Sequence, residues 1–397
     1  MMKWQTLKGH RKVKKGLMKG KEKGRTEMMI ERFGHGGDLA TAQAMFSIEE
    51  NAWFDFSSNI YPYGPPSSVL DVLNQALREP GVPVLSRYPD PDARVLRRMI
   101  AQFHEMDDEG VIVGNGAAEL IDLLVQALSP QKVGVIQPAF AEYADSATKR
   151  GIPVHSIHTC WEEGFLPEPS AVEALMKEVD ALFVGTPNNP TGHLLPAGLM
   201  EQMAAWAKRW QTWLIVDEAF LDFVADGEER SALRLIAAHP QVIVLRSLTK
   251  FFALPGLRLG YAVAAPEVAA RLRLMRTPWN VNGLAQIAGE EVMRREVHRA
   301  HALAVRRWLE PERARMVGEL AQFSKMAFFP SEANYLLGRV NGGKMDARQL
   351  QHACASQGVL IRSCANYPAL GDDYFRIAIK RPEENDRLLT VLRSCMD

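Results

Sequence analysis

Net charge is what this chain lacks: across 397 residues, 47 lysines and arginines balance 47 aspartates and glutamates. Without a global basic field, the long-range attraction that draws proteins to nucleic acid is missing. Long hydrophobic runs are missing too. No apolar stretch reaches the roughly 18 residues that a membrane helix needs, so neither a membrane nor a nucleic acid is expected as a partner. Cysteine is scarce. Cys160, Cys354, Cys364 and Cys395 have no metal-ligand spacing, so no metal is expected. Their thiols are expected to stay reduced, which fits a cytoplasmic protein. What remains is 47% hydrophobic and 24% charged, the composition of a globular enzyme with a sizeable core.

Charge of one sign gathers in one place only. Lys3, Lys8, Arg11, Lys12, Lys14, Lys15, Lys19, Lys21, Lys23 and Arg25 crowd residues 1–30 among few apolar neighbours. Such a segment cannot bury enough surface to fold alone, and it has no continuous apolar stretch of the secretory kind. A disordered, solvated tail is expected, or translation starting upstream of Met28 or Met29. Residues 31–68, rich in Gly, Ser, Asn and Pro, read as an extended arm with turns.

Residues 69–280 read as a large α/β domain. Short apolar runs (111–113, 133–136, 181–184, 213–216, 242–245 and 261–263, with 154–157 as a further candidate) alternate with helical stretches. That alternation predicts a mostly parallel, seven-stranded sheet covered on both faces. Residues 281–397 change character. The spacing predicts one long helix over 286–320, then strands near 328–330, 334–339, 359–362 and 374–379, as in a small α+β domain.

Three polar groups stand at the exits of these strands. Lys250 lies in Arg246-Ser247-Leu248-Thr249-Lys250, with Arg258 eight residues on. An amine, small hydroxyls and a guanidinium together suit an aldehyde cofactor that carries a phosphate: the amine forms a Schiff base and the others hold the dianion. Asp217 follows Trp213-Leu214-Ile215-Val216, where a carboxylate can pair with a protonated pyridine nitrogen. Asn189, in Thr186-Pro187-Asn188-Asn189-Pro190-Thr191-Gly192, can donate to a ring oxygen. Gly116 and Ala117 open a helix behind the first strand, where backbone N–H groups can approach a phosphate. Ligands of open α/β sheets bind at the carboxyl ends of strands.

In these motifs the chain resembles the fold type I pyridoxal-phosphate enzymes, the aspartate aminotransferase superfamily, over roughly residues 33 to 395. The resemblance implies pyridoxal 5'-phosphate as cofactor, Lys250 as its lysine and Asp217 as partner of its pyridine nitrogen. It implies Asn189 at the ring oxygen, Phe140 stacked on the ring, and Ser247 and Arg258 at the phosphate. It also implies a homodimer with shared sites, in which Tyr88 reaches the neighbouring subunit's cofactor phosphate. Phe220 stands where many relatives have Tyr, which leaves Asn189 more of the work on the ring oxygen. Arg362 and Arg376 resemble the arginines that clamp substrate anions.

The arm motifs, Phe33-Gly34-His35-Gly36-Gly37-Asp38 and Asp55-Phe56-Ser57-Ser58-Asn59-Ile60, are similar to those of the threonine-phosphate decarboxylase family of cobalamin biosynthesis. So is Thr277-Pro278-Trp279-Asn280-Val281-Asn282, while Tyr61 departs from that family's common Asn. This resemblance implies that His35 and Asn59 contact a phosphorylated amino-acid substrate. Histidinol-phosphate aminotransferase is the alternative: it shares the Lys, Asp, Asn and both arginines, but it usually carries Glu where Ile60 stands. A third reading, a non-enzymatic binding protein of this fold with a nucleic-acid-binding tail, lacks any helix-turn-helix pattern before the core.

Overall fold

A computed structural model describes residues 36–46, 48–49, 52–342 and 345–396. The expected tail at residues 1–30 and His35 lie outside the described residues. The first strand, β1 (Phe54–Asp55), belongs to the arm. The main sheet follows: β2 (Val111–Gly114), β3 (Val133–Gln137), β4 (Val154–His158), β5 (Ala181–Gly185), β6 (Trp213–Asp217), β7 (Val242–Ser247) and β8 (Gly260–Val263). Their order across the sheet is β2-β8-β7-β6-β5-β3-β4. Only β8 runs antiparallel to its neighbours, so the expected mostly parallel sheet is present.

The sheet's alternation divides the core in two. Ile112, Phe183, Ile215 and Leu245 face the helix Ala117–Leu128 through Leu120, Ile121 and Leu124. Val113, Leu182, Val184, Val216 and Val244 point to the other face and join the second, larger cluster. Both faces are covered, which is why these strands are continuous apolar runs. Their polar ends therefore gather along one edge.

A second sheet, of β9 (Met326–Phe328), β10 (Tyr335–Val340), β12 (Arg362–Ser363) and β13 (Tyr374–Ala378), is antiparallel in the order β12-β13-β10-β9. Three sequence expectations need correction. The run 359–362 is two strands: β11 (Val359–Leu360) pairs in parallel with β1, and only Arg362 enters the small sheet. The predicted helix over 286–320 is two helices, Gly283–Val292 and Arg295–Leu320. The chain turns extended at Arg294 (ψ 126°), so one helix can pack on Ser67–Arg78 while the other reaches Pro382–Met396. The arm, read as extended, contains the helix Leu39–Phe46. Only Ala42 of that helix is buried, so it leaves no amphipathic stripe to read. Among the described residues no helix is long and apolar enough to cross a membrane.

Candidate active site

A cavity of about 340 Å³ opens at the carboxyl ends of β5, β6 and β7, between the two sheets and under the arm. Lys250, Asp217, Asn189, Phe140, Ala117, Arg258, Asn59, Arg362 and Arg376 all line it. Nine residues expected from sequence, drawn from across 318 positions, thus converge on one space.

Asp217 ends β6 directly opposite Gly185 of β5. Its carboxylate is buried and held on both oxygens: Oδ2 accepts from the Tyr143 hydroxyl at 2.7 Å, Oδ1 from the Ala219 N–H at 2.9 Å. Burial pushes its pKa up, while these two donors and the Lys250 ammonium hold it down. Tyr143 is itself buried and stacked on Phe183 at 5.4 Å. The sequence did not reveal it as a site residue, because its partner is 74 positions away; its place one helical turn beyond Phe140 was the available signal.

Lys250 lies in the turn that follows β7, three residues past Ser247, and is partly open to the cavity. Its Nζ donates to Ser247 Oγ at 3.2 Å. Burial lowers its pKa to about 8; Asp217 opposes that shift, and the Arg258 and Arg376 charges add to it. Its backbone is fixed from the arm, since the Tyr61 N–H donates to the Lys250 carbonyl at 3.1 Å. Ser247 is fully buried and shares a 2.8 Å hydrogen bond with Thr249, and it is Thr249 whose side reaches the cavity wall.

One end of the cavity is a cup. Gly116 (φ +85°) precedes the helix Ala117–Leu128, and a Cβ built on it would stand 2.9 Å from Arg258 Nη2. A helix N-terminus, a hydroxyl and a guanidinium face one another there, a donor set suited to a phosphate dianion. Asn280 anchors that helix by donating to Glu119 in its first turn.

The other end carries the two arginines. Arg362 and Arg376 are direct cross-strand partners on β12 and β13, 3% and 6% exposed. Like charges opposite each other on a sheet are destabilising, so this pairing points to an anion between or beside them. Arg376 donates to two neutral acceptors, Asn189 Oδ1 and the Ser57 carbonyl (2.7 Å for the latter), and its Nε is buried with no partner among the described residues. Because Arg376 occupies Asn189 Oδ1, the amide of Asn189 is oriented with Nδ2 free to donate into the cavity. Arg362 donates to Asn366 at 2.9 Å and lies 5.7 Å from the Tyr367 ring. Tyr367, 3.5 Å from Asn189 Oδ1, also lines the cavity and escaped the sequence reading. Asn59 is 5% exposed, and its Oδ1 has no partner among the described residues.

Of the described site residues, Gly116 and Ser247 lie just behind the cavity wall, against Arg258 and beneath Thr249 and Lys250, while Tyr88 stands away from the cavity altogether. It is 81% exposed and packs on Trp279 at 4.8 Å.

The donor set fits pyridoxal 5'-phosphate: a phosphate cup, an amine of depressed pKa, a buried carboxylate for a pyridine nitrogen, an amide donor for a ring oxygen and Phe140 for the ring face.

Among known proteins, the chain is similar to threonine-phosphate decarboxylase of Salmonella typhimurium, 37% identical over 93% of this chain and 98% of that one. Two solved structures resemble it. Histidinol-phosphate aminotransferase from Clostridium acetobutylicum has TM-score 0.78 and 29% identity, covering 86% of this chain and 98% of the other. L-threonine-O-3-phosphate decarboxylase from Porphyromonas gingivalis has TM-score 0.75 and 25% identity, with the same coverages. The sequence profile of aminotransferase class I and II matches residues 51–392, and the chain belongs to that family.

Proposed function

We propose that this chain is a pyridoxal-phosphate-dependent decarboxylase that converts L-threonine O-3-phosphate to (R)-1-aminopropan-2-ol O-phosphate and CO₂, a linker for cobalamin assembly. The observation that carries the reading is the buried Arg362–Arg376 pair facing the same cavity as Lys250. It asks for a substrate with an anion several bonds from the reacting carbon. The 37% identity to a threonine-phosphate decarboxylase supports this choice of substrate.

When bound, the cofactor supplies a sink for the electron pair that CO₂ leaves on Cα. The chain's residues do the rest. Asp217, whose carboxylate accepts from Tyr143 and the Ala219 N–H, would hold the pyridine nitrogen of the cofactor and favour a proton there. Lys250, whose Nζ faces the cavity, would deliver a proton to Cα. A tight arginine grip on the carboxylate would stabilise the ground state more than the transition state. The arginines would therefore hold the substrate phosphate and leave the carboxylate free to depart. In this reading residues 69–280 form the cofactor domain and 281–397 the substrate-binding small domain. Residues 31–68 form the arm above them, which brings Asn59, and His35 with it, to the substrate.

The proposal includes a homodimer. Tyr88, Leu85 and Leu274 are 81%, 66% and 86% exposed, an apolar set that a second copy would cover. Sedimentation is expected to give a dimer that Tyr88→Ala weakens in activity; a fully active monomer would sink this part.

The test of the reaction uses purified, cofactor-loaded protein with L-threonine O-3-phosphate. CO₂ and aminopropanol phosphate should appear in equal amounts. Activity with histidinol phosphate and 2-oxoglutarate, without CO₂, would instead make the chain an aminotransferase, the reading that the Clostridium acetobutylicum structure favours.

Tyr143→Phe tests the role of Asp217. Losing that hydroxyl removes a group that lowers the Asp217 pKa while the burial that raises it stays. A fall of about tenfold or more in turnover is expected, by the scale of a charged hydrogen bond, together with weaker cofactor retention on dialysis. Unchanged retention and turnover would show that Ala219 and Lys250 suffice.

A further inference from the structure

One acid within the arm, Asp55, has no part in the chemistry above. Asp55 ends β1, whose pairing with β11 ties it to the segment that runs on into Arg362. Its carboxylate collects three donors from two residues. Oδ1 takes the Ser57 N–H at 2.9 Å and the Ser57 hydroxyl at 2.6 Å, and Oδ2 takes the Ser58 hydroxyl. The chain before the turn cannot slide: the Phe56 N–H donates to the Leu360 carbonyl at 2.7 Å, and the Phe56 carbonyl accepts from the Ala378 N–H at 2.9 Å. The turn presents the Ser57 carbonyl to Arg376, whose Nη2 donates to it at 2.7 Å. The Ser57 hydroxyl accepts in turn from the Gly37 N–H at 2.7 Å. At Gly36 a Cβ would come 2.2 Å from the Ser57 carbonyl oxygen, so the chain closes tightly over this point.

Charge explains why the device has two steps. A carboxylate placed directly on Arg376 would orient the guanidinium but cancel its attraction for a ligand anion. A backbone carbonyl orients it and leaves the charge whole. The charge of Asp55 is taken up by the serine donors and by Lys380, an ammonium only 9% exposed for which Asp55 is the chief attracting group.

We propose that Asp55 is a positioning residue for the substrate-anion site, acting through the Ser57 carbonyl to aim Arg376. The proposal rests on the reading that Arg376 holds the substrate anion. Without the Asp55 carboxylate, residues 57 and 58 lose their common acceptor, the carbonyl is no longer directed, and the guanidinium gains alternative orientations.

The experiment uses the full, cofactor-loaded chain and two readouts, steady-state kinetics with L-threonine O-3-phosphate and inhibition by inorganic phosphate. Asp55→Ala is expected to raise KM and the phosphate inhibition constant together by about tenfold, the size of one charged hydrogen-bond contribution, with kcat within about threefold. The visible absorption of the bound cofactor and its pH titration should stay as in the parent. Asp55→Asn, which keeps one acceptor oxygen, should recover part of the loss, and it replaces the alanine variant if that one does not fold. Ser57→Ala keeps the carbonyl and should cost less than Asp55→Ala. Unchanged KM and phosphate inhibition in both Asp55 variants would overturn the proposal, whatever happened to thermal stability. Arg376→Ala separates the two levels. If it abolishes phosphate inhibition while the Asp55 variants do nothing, only this inference fails. If it too leaves phosphate inhibition intact, the anion role of Arg376 fails first.

Discussion

Lys250→Ala is expected to lower turnover at least about 10³-fold, a scale set by removing a covalent and proton-transfer group together. The geometry gives the reason. Lys250 Nζ is the amine within the cavity that stands between the Asp217 carboxylate and the Arg258 and Arg376 charges, and burial lowers its pKa to about 8. An ordinary lysine, with its pKa near 10.4, would be almost wholly protonated at neutral pH and a poor nucleophile. Lys250 offers a sizeable fraction of free amine. Capture of the cofactor by cofactor-free protein should therefore speed up as pH rises and level off above about pH 8. The sign follows from the depressed pKa: the charged form is disfavoured in the fold, so the reactive neutral form appears at lower pH. Asp217→Asn removes the charge that opposes this depression and should move the inflection lower still. Stopped-flow absorbance across pH 6–11 would read both effects. An inflection above pH 10 in the parent protein would show that the cavity leaves this amine unperturbed.

Arg376→Ala is expected to raise KM for a phosphorylated substrate by about 10²–10³-fold. Truncating one partner of a buried, hydrogen-bonded charge pair costs about 2–5 kcal/mol, and every 1.4 kcal/mol is about tenfold. Arg376→Lys should rescue little, because an ammonium lacks the planar fork that binds Asn189, Ser57 and an anion at once. A second consequence runs the other way. Arg376 is 6% exposed, sits opposite Arg362 and has only neutral acceptors. In the ligand-free protein this charge opposes folding. Replacing it by methionine should leave the melting temperature unchanged or raise it while binding collapses, as at sites where stability is given up for function. A fall of melting temperature in parallel with activity would mean that Arg376 is chiefly a structural element.

The main sheet was readable because its strands are buried on both faces and leave unbroken apolar runs. Asp217, Asn189 and Lys250 stood out since each follows such a run. Elements held by distant partners were not readable. The nearness of Tyr143 to Phe140 hinted at a place by the site, but its hydrogen bond to Asp217, 74 positions on, left no mark in the sequence. The cross-strand register that sets Arg362 against Arg376 depends on the fold of the whole hairpin. The helix Leu39–Phe46 was missed because only Ala42 of it is fully buried and its other anchor, Phe46, packs on the distant His352. Tyr367 sits in the connection between β12 and β13 and reaches Asn189 only when both sheets are in place.

The handover at Ile361 has a consequence for how the chain tolerates changes in length. On one side, Val359 and Leu360 pair with the arm; on the other, Arg362 and Ser363 pair with β13. A single residue joins the two ladders, and side chains alternate along a strand. An insertion or deletion here would turn Arg362 to the opposite face or pull the arm out of register. The connection between β12 and β13 carries no such constraint. Variation in loop length is thus steered towards residues 364–373, where it can reshape the cavity rim around Tyr367 while both guanidinium-bearing strands stay in step.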